Sequence, residues 1–171
     1  MAQRFVIEPL GAHDRAGFSC GALSLDQYFR TQASQDIKRL VASCFVAVDT
    51  ATQAVAGYYT LAATSIPATE LPPETRKLLP RYPSLPAALI GRLAIAQTFH
   101  RQGLGGALLA DAALRVLKGD TAAFALVVEA KDEAAVAFYQ VQGFRRFASR
   151  PAVLFLPLAT ARKAALGARP G

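Results

Sequence analysis

Residues 89–115 read LIGRLAIAQTFHRQGLGGALLADAALR, and the rest of the chain is organised around them. An apolar run ends at Ile95 and predicts a buried strand. A polar turn and the glycines Gly103, Gly105 and Gly106 follow, and apolar residues then recur at helical spacing. Glycine lets the backbone approach a ligand closely, and the first turn of a helix leaves N–H groups without internal partners. The stretch therefore predicts a phosphate or pyrophosphate site at the start of a helix.

Two well-known phosphate-binding loops do not fit this stretch. A Walker loop needs a lysine after its last glycine, and no lysine follows these glycines. A dinucleotide-binding fingerprint needs a third glycine at the position that Leu108 occupies. A tight helix entry that binds no ligand is the alternative that the stretch alone leaves open.

Length and hydropathy predict one soluble domain. At 171 residues the chain can bury a core but is short for two domains. We expect a single domain over residues 1–160 and a basic tail, prone to fraying, over 161–171. No apolar run is as long as a membrane span, and the N-terminus lacks a signal-peptide pattern. A cytoplasmic protein with no membrane partner is therefore expected.

Metal and disulfide chemistry is not expected. Cys20 and Cys44 have no spacing typical of a metal clip or a disulfide framework, so both are predicted to be reduced and buried. His13 and His100 lie far apart in the sequence with no cysteine pair nearby, and no metal site is predicted.

The charge is unevenly distributed. The formal net charge is +7, and no acidic residue follows Glu133. The basic residues in that segment are Arg145, Arg146, Arg150, Arg162, Lys163 and Arg169. A basic surface favours a polyanionic partner, either a nucleic acid or an acidic protein segment. Charge that serves only solubility is the alternative.

The order of the predicted elements indicates an α/β protein. The predicted strands are 4–8, 43–48, 55–61, 89–95, 123–128, 144–147 and 152–156. Ser24 and Gln27 form a capping-box pattern for a helix that runs to about residue 37. The prolines of 65–86 predict a long excursion with one helical turn near 74–79. A last helix, 133–141, is predicted to be capped by Asp132 and ended by Gly143.

Two motifs resemble those of the GNAT superfamily of acetyl-coenzyme A-dependent N-acetyltransferases. The family's loop reads Arg/Gln-x-x-Gly-x-Gly/Ala, and residues 100–105, HRQGLG, match it apart from His100. The later signature, Asn-x-x-Ala-x-x-x-Tyr followed by Gly-Phe, aligns with Asp132, Ala135, Tyr139 and residues 143–144, with aspartate replacing asparagine. The resemblance implies the GNAT fold, of class α/β (α+β), with a central mixed, mostly antiparallel twisted sheet flanked by helices.

The resemblance also implies which residues bind acetyl-CoA. The pyrophosphate would lie on backbone N–H groups of the loop, and the pantetheine arm would pair with the backbone of the preceding strand. The implied cofactor-binding residues are Leu93, Ala94, Ile95, His100, Arg101, Gln102, Gly103, Leu104, Gly105, Gly106, Ala107, Asp132, Ala135 and Phe138. Phe138 has core packing as its alternative role.

Within the superfamily, the chain is most similar to acetyltransferase toxins of bacterial type II toxin–antitoxin modules. The segments that carry the similarity are 18–21, 25–29, 57–61, 91–95, 138–139, 143–144 and 154–158. The resemblance implies acetylation of the free α-amino group of aminoacyl-tRNA, which stops translation. It also implies a homodimer and a ribbon-helix-helix antitoxin whose C-terminal part wraps the enzyme.

Tyr139 is the candidate catalytic residue. The resemblance implies that it is the general acid that protonates the departing thiolate of coenzyme A. A tyrosine that only packs its helix onto the core is the alternative.

The strand 89–95 contains no carboxylate, although many GNAT enzymes that act on lysine-like amines place a glutamate base there. A lysine amine has a pKa of about 10.4, so its deprotonation at neutral pH costs about 4 kcal/mol, whereas an α-amine with a pKa near 8 costs about 1 kcal/mol. The missing base therefore favours an α-amino acceptor. Glu129 or a relayed water is the alternative base.

Several cations are candidate contacts to tRNA. Arg92 either pairs structurally on the sheet or binds the acceptor end, and the sequence leaves both readings open. Candidate phosphate contacts, each otherwise plain surface, are Lys38, Arg39, Arg76, Lys77, Arg145 and Arg146.

Two other functions compete with the tRNA-directed toxin. One is an acetyltransferase for a small amine, an antibiotic or a protein N-terminus, whose activity would lack the steep salt dependence of tRNA binding. The other is a catalytically idle binding module that holds coenzyme A or an antitoxin and represses its own promoter. In that case the turnover of Tyr139→Phe would equal that of the wild type.

Overall fold

In the computed structural model, which describes residues 3–167, the chain forms seven strands and six α-helices. The strands are β1 (Phe5–Pro9), β2 (Ser43–Asp49), β3 (Val55–Pro67), β4 (Ser84–Ile95), β5 (Ala125–Glu129), β6 (Arg145–Arg146) and β7 (Val153–Pro157). The helices are α1 (Leu23–Thr31), α2 (Ala33–Lys38), α3 (Pro73–Arg76), α4 (Leu104–Lys118), α5 (Glu133–Val141) and α6 (Leu158–Gly167).

The strands form one mixed sheet in the order β1-β2-β3-β4-β5-β7-β6. The pairs β1–β2, β2–β3, β5–β7 and β6–β7 are antiparallel, whereas β4 and β5 are parallel. The predicted fold class is therefore confirmed. β4 is the fourth of the seven strands, so the glycine turn follows a central strand, where sheets flanked by helices commonly bind ligands.

The chain divides into two compact units. The first consists of Met1–Ala62 and Gly91–Ala112, and the second of Ala63–Ile90 and Ala113–Gly171. Aromatic packing forms the core of the first unit. The Phe29 ring stacks on Tyr58 with 4.3 Å between centroids, and Phe18 meets Phe29 edge-on at 4.9 Å.

An apolar cluster forms the core of the second unit. Its larger members are Ile66, Leu71, Leu85, Phe147 and Phe155, all buried. The first four residues of β5, ALVV, are buried without alternation, as expected of a strand covered on both faces.

The first predicted helix differs from the structure. It begins one residue earlier than Ser24, which makes no capping bond, and it is interrupted at Gln32. The Asp26 carboxylate instead accepts a hydrogen bond from the Cys20 N–H over 2.9 Å. Because the apolar spacing continues across the interruption, periodicity did not reveal it.

The proline-rich excursion is shorter than predicted. β3 continues to Pro67 and β4 starts at Ser84, so only residues 68–83 connect them. Proline removes a donor but keeps its acceptor, and the Pro86 carbonyl accepts a hydrogen bond from the Phe124 N–H over 2.8 Å. The predicted helical turn is present as α3.

The remaining expectations concern the chain end and the cysteines. α6 reaches Gly167, so the predicted tail starts as a helix, and residues 168–171 lie outside the described part. Cys44 is buried and Cys20 is only half-buried, and both are free thiols. Within residues 3–167, no helix has the length and apolar character needed to cross a membrane.

Candidate active site

The stretch that organises the sequence folds as β4, a short turn and α4. A single 3-10 turn, Gln97–Phe99, follows β4, and residues 100–103 are exposed to solvent. Arg101 and Gly103 have φ angles of +63° and +75°, in the left-handed region that makes tight turns possible. The predicted order of strand, glycine turn and helix is confirmed.

The start of α4 has the chemistry needed to bind the pyrophosphate of acetyl-CoA. α4 has 15 residues, and helix geometry leaves the N–H groups of its first turn without internal partners. No acidic residue lies in that turn to occupy these donors. A Cβ atom at Gly103 would meet nothing within 4 Å, so the turn is not packed against other residues at this position. Residues 101–106 could therefore hold a pyrophosphate on their main-chain N–H groups. The Ala107 N–H already donates to the Gly103 carbonyl over 3.2 Å, so a cofactor contact by Ala107 remains a prediction.

His100 ties the turn to the end of β4. Its Nε2 lies 2.8 Å from the carbonyl oxygen of Ile95, and because a carbonyl only accepts, Nε2 carries the proton. The residue at the first position of the loop motif thus uses this ring nitrogen to brace the turn. A contact between His100 and the cofactor remains a prediction.

β3 approaches the end of β4 closely at Gly57. A Cβ atom at Gly57 would lie 2.9 Å from the Ala94 carbonyl oxygen and 3.0 Å from Ile95 Cδ1. On the helix side it would lie 3.3 Å from Leu108 Cδ1. Only glycine fits here without displacing the strand that leads into the turn.

We expect Gly57→Ala to lower the free energy of unfolding by about 1–3 kcal/mol, because the added methyl group overpacks a site bounded by backbone. Urea denaturation measures this change. Gly17→Ala is the matched control, since a Cβ there would meet nothing within 4 Å. Equal losses in the two variants would contradict the close approach at Gly57.

Arg92 lies on β4 directly before the residues implied to pair with the pantetheine arm. Its guanidinium carbon is 3.6 Å from the centre of the Tyr28 ring, so the two groups stack. The Tyr28 hydroxyl donates to Asp36 Oδ2 over 2.8 Å, and Gln32 Nε2 donates to Asp36 Oδ1 over 3.2 Å. In the described part of the chain, no group accepts a hydrogen bond from the guanidinium.

The electrostatics of this cluster keep it in one protonation state. Burial and the hydrogen bond to Asp36 raise the pKa of Tyr28, so the hydroxyl stays protonated. The hydrogen bonds from Tyr28 and Gln32 lower the pKa of Asp36, so the carboxylate stays ionised at neutral pH. Arg92 thus uses the face of its guanidinium structurally, while the N–H donors at the edge stay available to a ligand.

Tyr139 lies on α5 in the second unit and is 8% exposed. Its ring packs against Phe138 and Phe144, with centroids 5.2 and 5.5 Å away. Burial raises the pKa of Tyr139, so the hydroxyl keeps its proton at neutral pH. No described residue hydrogen-bonds to this hydroxyl, and no fully buried polar side-chain atom of the described residues lacks a partner. The hydroxyl therefore reaches the accessible surface, where it can donate to a ligand.

Asp132 and Ala135 together cap α5. Asp132 Oδ1 accepts a hydrogen bond from the Ala135 N–H over 2.8 Å, which confirms the predicted N-cap. After the helix, Gly143 has a φ angle of +100°, and the Phe144 N–H donates to the Tyr139 carbonyl over 3.1 Å. Cofactor contacts by Asp132, Ala135 and the half-buried Phe138 remain predictions.

The surface cations predicted to contact phosphates fall into two groups. Arg145 pairs with Glu74 at 2.7 Å, and Arg146 pairs with Glu133 at 3.0 Å. The other four are exposed and form no ion pair within residues 3–167, namely Lys38, Arg39, Arg76 and Lys77.

Acidic groups are sparse around the candidate site. β4 carries no carboxylate, and Glu129, the alternative base, is exposed at the end of β5. Nowhere in the described residues are three or more histidines, cysteines or carboxylates grouped to hold a metal ion.

Two polar pairs were missed by sequence reasoning. Tyr28 lies in the helix predicted to run to about residue 37, and nothing in the sequence linked its hydroxyl to Asp36. Glu70 is 9% exposed, and its carboxylate accepts hydrogen bonds from the N–H and hydroxyl of Ser149. Glu70 is one of two carboxylates in the proline-rich segment, and that position was the signal available for the second pair.

Residues 41–146 match a family model described as an acetyltransferase (GNAT) domain. The chain belongs to the GNAT acetyltransferase family. The resemblance predicted from the loop and the tyrosine motif is therefore confirmed, and the cofactor of the family is acetyl-CoA.

Two relatives of this GNAT acetyltransferase align over nearly its full length. It is 33% identical over 172 residues to the "Probable toxin TacT" of Sinorhizobium fredii (strain NBRC 101917 / NGR234), covering 94% of this chain and 95% of that protein. It is also 33% identical over 153 residues to the "tRNA-acetylating toxin" of Mycobacterium tuberculosis (strain ATCC 25618 / H37Rv), covering 88% and 90%.

Solved structures of AtaT have the same fold. AtaT complexed with acetyl-methionyl-tRNAfMet matches this GNAT acetyltransferase with a TM-score of 0.86 at 27% identity, over 94% of this chain and 98% of that one. A mutant AtaT bound to the C-terminus of the antitoxin AtaR matches with a TM-score of 0.79 at 25% identity, over 95% and 98%.

Proposed function

We propose that this GNAT acetyltransferase transfers the acetyl group of acetyl-CoA to the α-amino group of aminoacyl-tRNA in the cytoplasm. The acylated tRNA would then block translation, which makes the protein the toxin of a toxin–antitoxin pair. The observation that carries the proposal is the side-chain content of β4. β4, the strand that leads into the glycine turn, contains no carboxylate. It carries Arg92, whose guanidinium is stacked on the Tyr28 ring.

The absent carboxylate bears on the acceptor. An α-amine with a pKa of about 8 is partly neutral at pH 7, whereas a lysine amine at about 10.4 depends on a base. An acceptor that loses its proton readily therefore suits a strand without a base. The "tRNA-acetylating toxin" similar to this chain supports the same choice of acceptor.

The residues have distinct roles in the proposed reaction. Acetyl-CoA supplies an acetyl group as a thioester, which passes to the amine nitrogen as the thiol departs. The free main-chain N–H groups of residues 101–106 would hold its pyrophosphate, and the backbone of residues 93–95 would hold its pantetheine arm. Burial raises the pKa of Tyr139, so its hydroxyl is protonated and would donate that proton to the departing sulfur. The amine nitrogen would lose a proton to water as its bond to the acetyl carbon forms, and a proton from water would restore the Tyr139 hydroxyl. Arg92 offers charged N–H donors to phosphate oxygens of the tRNA.

Arg92→Lys is expected to raise the KM for charged tRNA about tenfold or more, with the KM for acetyl-CoA little changed. Lysine keeps the charge, but it cannot stack its head group on Tyr28 or present a planar set of donors. Steady-state kinetics at fixed salt measure both constants. Tyr28→Phe is the matched variant: it keeps the ring and loses only the bond to Asp36, so a smaller rise is expected. An unchanged KM for tRNA in Arg92→Lys would contradict the role of Arg92.

Competition between acceptors tests the proposed function. Values of kcat/KM are compared for one charged tRNA, the matching free amino acid ester, a lysine-containing peptide and a peptide N-terminus. We expect the charged tRNA to be preferred by at least a hundredfold at low salt, and the preference to shrink as salt rises. A preference for a free amine or a peptide that is independent of salt would instead establish the alternative acetyltransferase.

The partners proposed with this function are a ribbon-helix-helix antitoxin and a second copy of the chain. The complex of AtaT with the C-terminus of AtaR supports an antitoxin, and a net charge of +7 suits an acidic segment. Co-expression with the neighbouring gene should give a stable complex in which acetylation is inhibited, and light scattering should give a dimer for the free enzyme. Full activity in the complex, or a monomer at every concentration, would contradict the respective partner.

A further inference from the structure

The connection between β3 and β4 lines an open cavity of about 640 Å³ within the second unit. Its lining includes the cations Arg76, Lys77 and Arg81 and the aromatic ring of Tyr82. We call it the basic cavity. Its volume lies within the range of about 300–1,000 Å³ typical of sites for small organic ligands, so it is large enough for a nucleotide.

The walls of the basic cavity are anchored to the rest of the second unit. Leu79, which lines it, packs against the buried apolar cluster. Arg145 pairs with Glu74 at 2.7 Å and donates to Thr75 Oγ1 over 3.0 Å, which fixes α3. Glu70 accepts the hydrogen bonds of Ser149. A ligand would therefore meet a pre-organised loop and would not bear the full entropy cost of ordering it.

The charge balance of this segment favours an anion. Residues 68–83 contain two carboxylates, Glu70 and Glu74, and both are engaged by Ser149 and Arg145. The three cations of the cavity are exposed and have no ion-pair partner within residues 3–167. Glu74 is thus paired with the positive charge of Arg145 and Glu70 is hydrogen-bonded to Ser149, while the three cations of the cavity face solvent.

Tyr82 gives the cavity a second, independent preference. Its side chain is 60% exposed, although an aromatic ring gains from burial. Aromatic rings beside a track of cations are the means by which proteins bind unpaired nucleotides, because every base has a face that can stack. Bases in a duplex already stack on each other, so they offer no free face to Tyr82. An acidic peptide supplies negative charge but no base that could stack on the ring. The combination therefore favours single-stranded nucleic acid.

We propose that the basic cavity binds unpaired nucleotides of RNA, with phosphates on Arg76, Lys77 and Arg81 and a base on the face of Tyr82. The identity of the RNA rests on the proposed function: it is then the single-stranded 3′ end of the charged tRNA. The ring of Tyr82 and the three cations make separate contributions, so separate variants report on them.

Binding is measured by fluorescence anisotropy of a labelled eight-nucleotide RNA ending in CCA, without acetyl-CoA and without an aminoacyl group. Tyr82→Ala is expected to weaken binding about 5- to 100-fold, the effect of losing one base–aromatic stack. Tyr82→Phe should bind as the wild type does, because the stacking face is kept. Loss of binding in both variants, or in neither, would overturn the role of the ring.

The cations are tested with a charge-matched pair of triple variants. Arg76→Ala/Lys77→Ala/Arg81→Ala should reduce the slope of log affinity against log salt by about 2, since each phosphate contact on a single strand contributes about 0.7. The control, Lys118→Ala/Arg162→Ala/Lys163→Ala, removes three exposed cations elsewhere. It should retain the part of the salt slope that the cavity contributes. Equal losses in both triple variants would show a general effect of charge and would overturn the proposal.

Two competitors identify the occupant. A duplex of equal charge and a glutamate-rich peptide should both compete poorly with the labelled RNA. The strength of this competition should be the same in the wild type and in Tyr82→Ala. Equal competition by either would assign the cavity to that class and overturn the inference. Because these assays use no acetyl group, they remain decisive if the acetyl acceptor is not tRNA. Conversely, acetylation of charged tRNA with an unchanged KM in the cavity variants would remove the cavity and leave the proposed function intact.

Discussion

Tyr139→Phe is expected to lower kcat about 10²- to 10⁴-fold while the affinity for acetyl-CoA stays within about twofold of the wild type. The hydroxyl is the only group lost, and the ring keeps its contacts with Phe138 and Phe144. Burial raises the pKa of Tyr139, so the hydroxyl is protonated at neutral pH and available to the departing sulfur, whereas phenylalanine has no proton to donate. Initial rates with charged tRNA and calorimetric titration with acetyl-CoA measure the two quantities.

The control for this prediction is Tyr58→Phe, which also removes one tyrosine hydroxyl. That hydroxyl donates to the Leu25 carbonyl over 2.7 Å in the core of the first unit. Its loss should cost about 1 kcal/mol of stability and leave kcat nearly unchanged. If Tyr139→Phe turned over as fast as the wild type, the proposed acid would be wrong and the idle binding module would gain support.

Gly103→Ala is expected to weaken acetyl-CoA binding at least tenfold. The φ angle of +75° places Gly103 in the left-handed region, where alanine is strained by about 1–2 kcal/mol. The new methyl group itself would meet nothing within 4 Å, so the strain of the backbone is the main effect. A shift of the turn to relieve the strain would misdirect the N–H groups of α4. Calorimetry or quenching by the cofactor measures the affinity.

Gly143→Ala separates strain from ligand binding. Gly143 also has a left-handed φ angle, +100°, but it follows the last turn of α5 in the second unit. This variant should lose a similar amount of stability and keep its affinity for acetyl-CoA. Equal affinities of Gly103→Ala and the wild type would contradict a pyrophosphate site at the turn.

Those parts of the molecule that local chemistry specifies could be predicted from the sequence. The strand, the glycine turn and α4 follow from a change of apolar spacing around Gly103, and the Asp132 cap and the Gly143 stop follow from side-chain and backbone preferences. The same residues indicated the family. A site made of main-chain N–H groups requires glycines and a helix start, and both are visible in the sequence.

Features that depend on distant partners could not be predicted. The stacking of Arg92 on Tyr28 joins β4 to α1, which lie more than 60 residues apart in the chain. The break at Gln32 preserves the apolar spacing and leaves no local mark. Prolines were weighed as strand breakers, but Pro67 and Pro86 keep their acceptors and remain within strands of the sheet.

The most direct test of aminoacyl-tRNA acetylation is to incubate the purified protein with labelled acetyl-CoA and total charged bacterial tRNA. The same tRNA after deacylation is the control. We expect label on the charged tRNA only, recovered as an N-acetyl-aminoacyl group after nuclease digestion. Absence of label from both samples, with the cofactor bound, would contradict this function and transfer the search to small amines and protein N-termini.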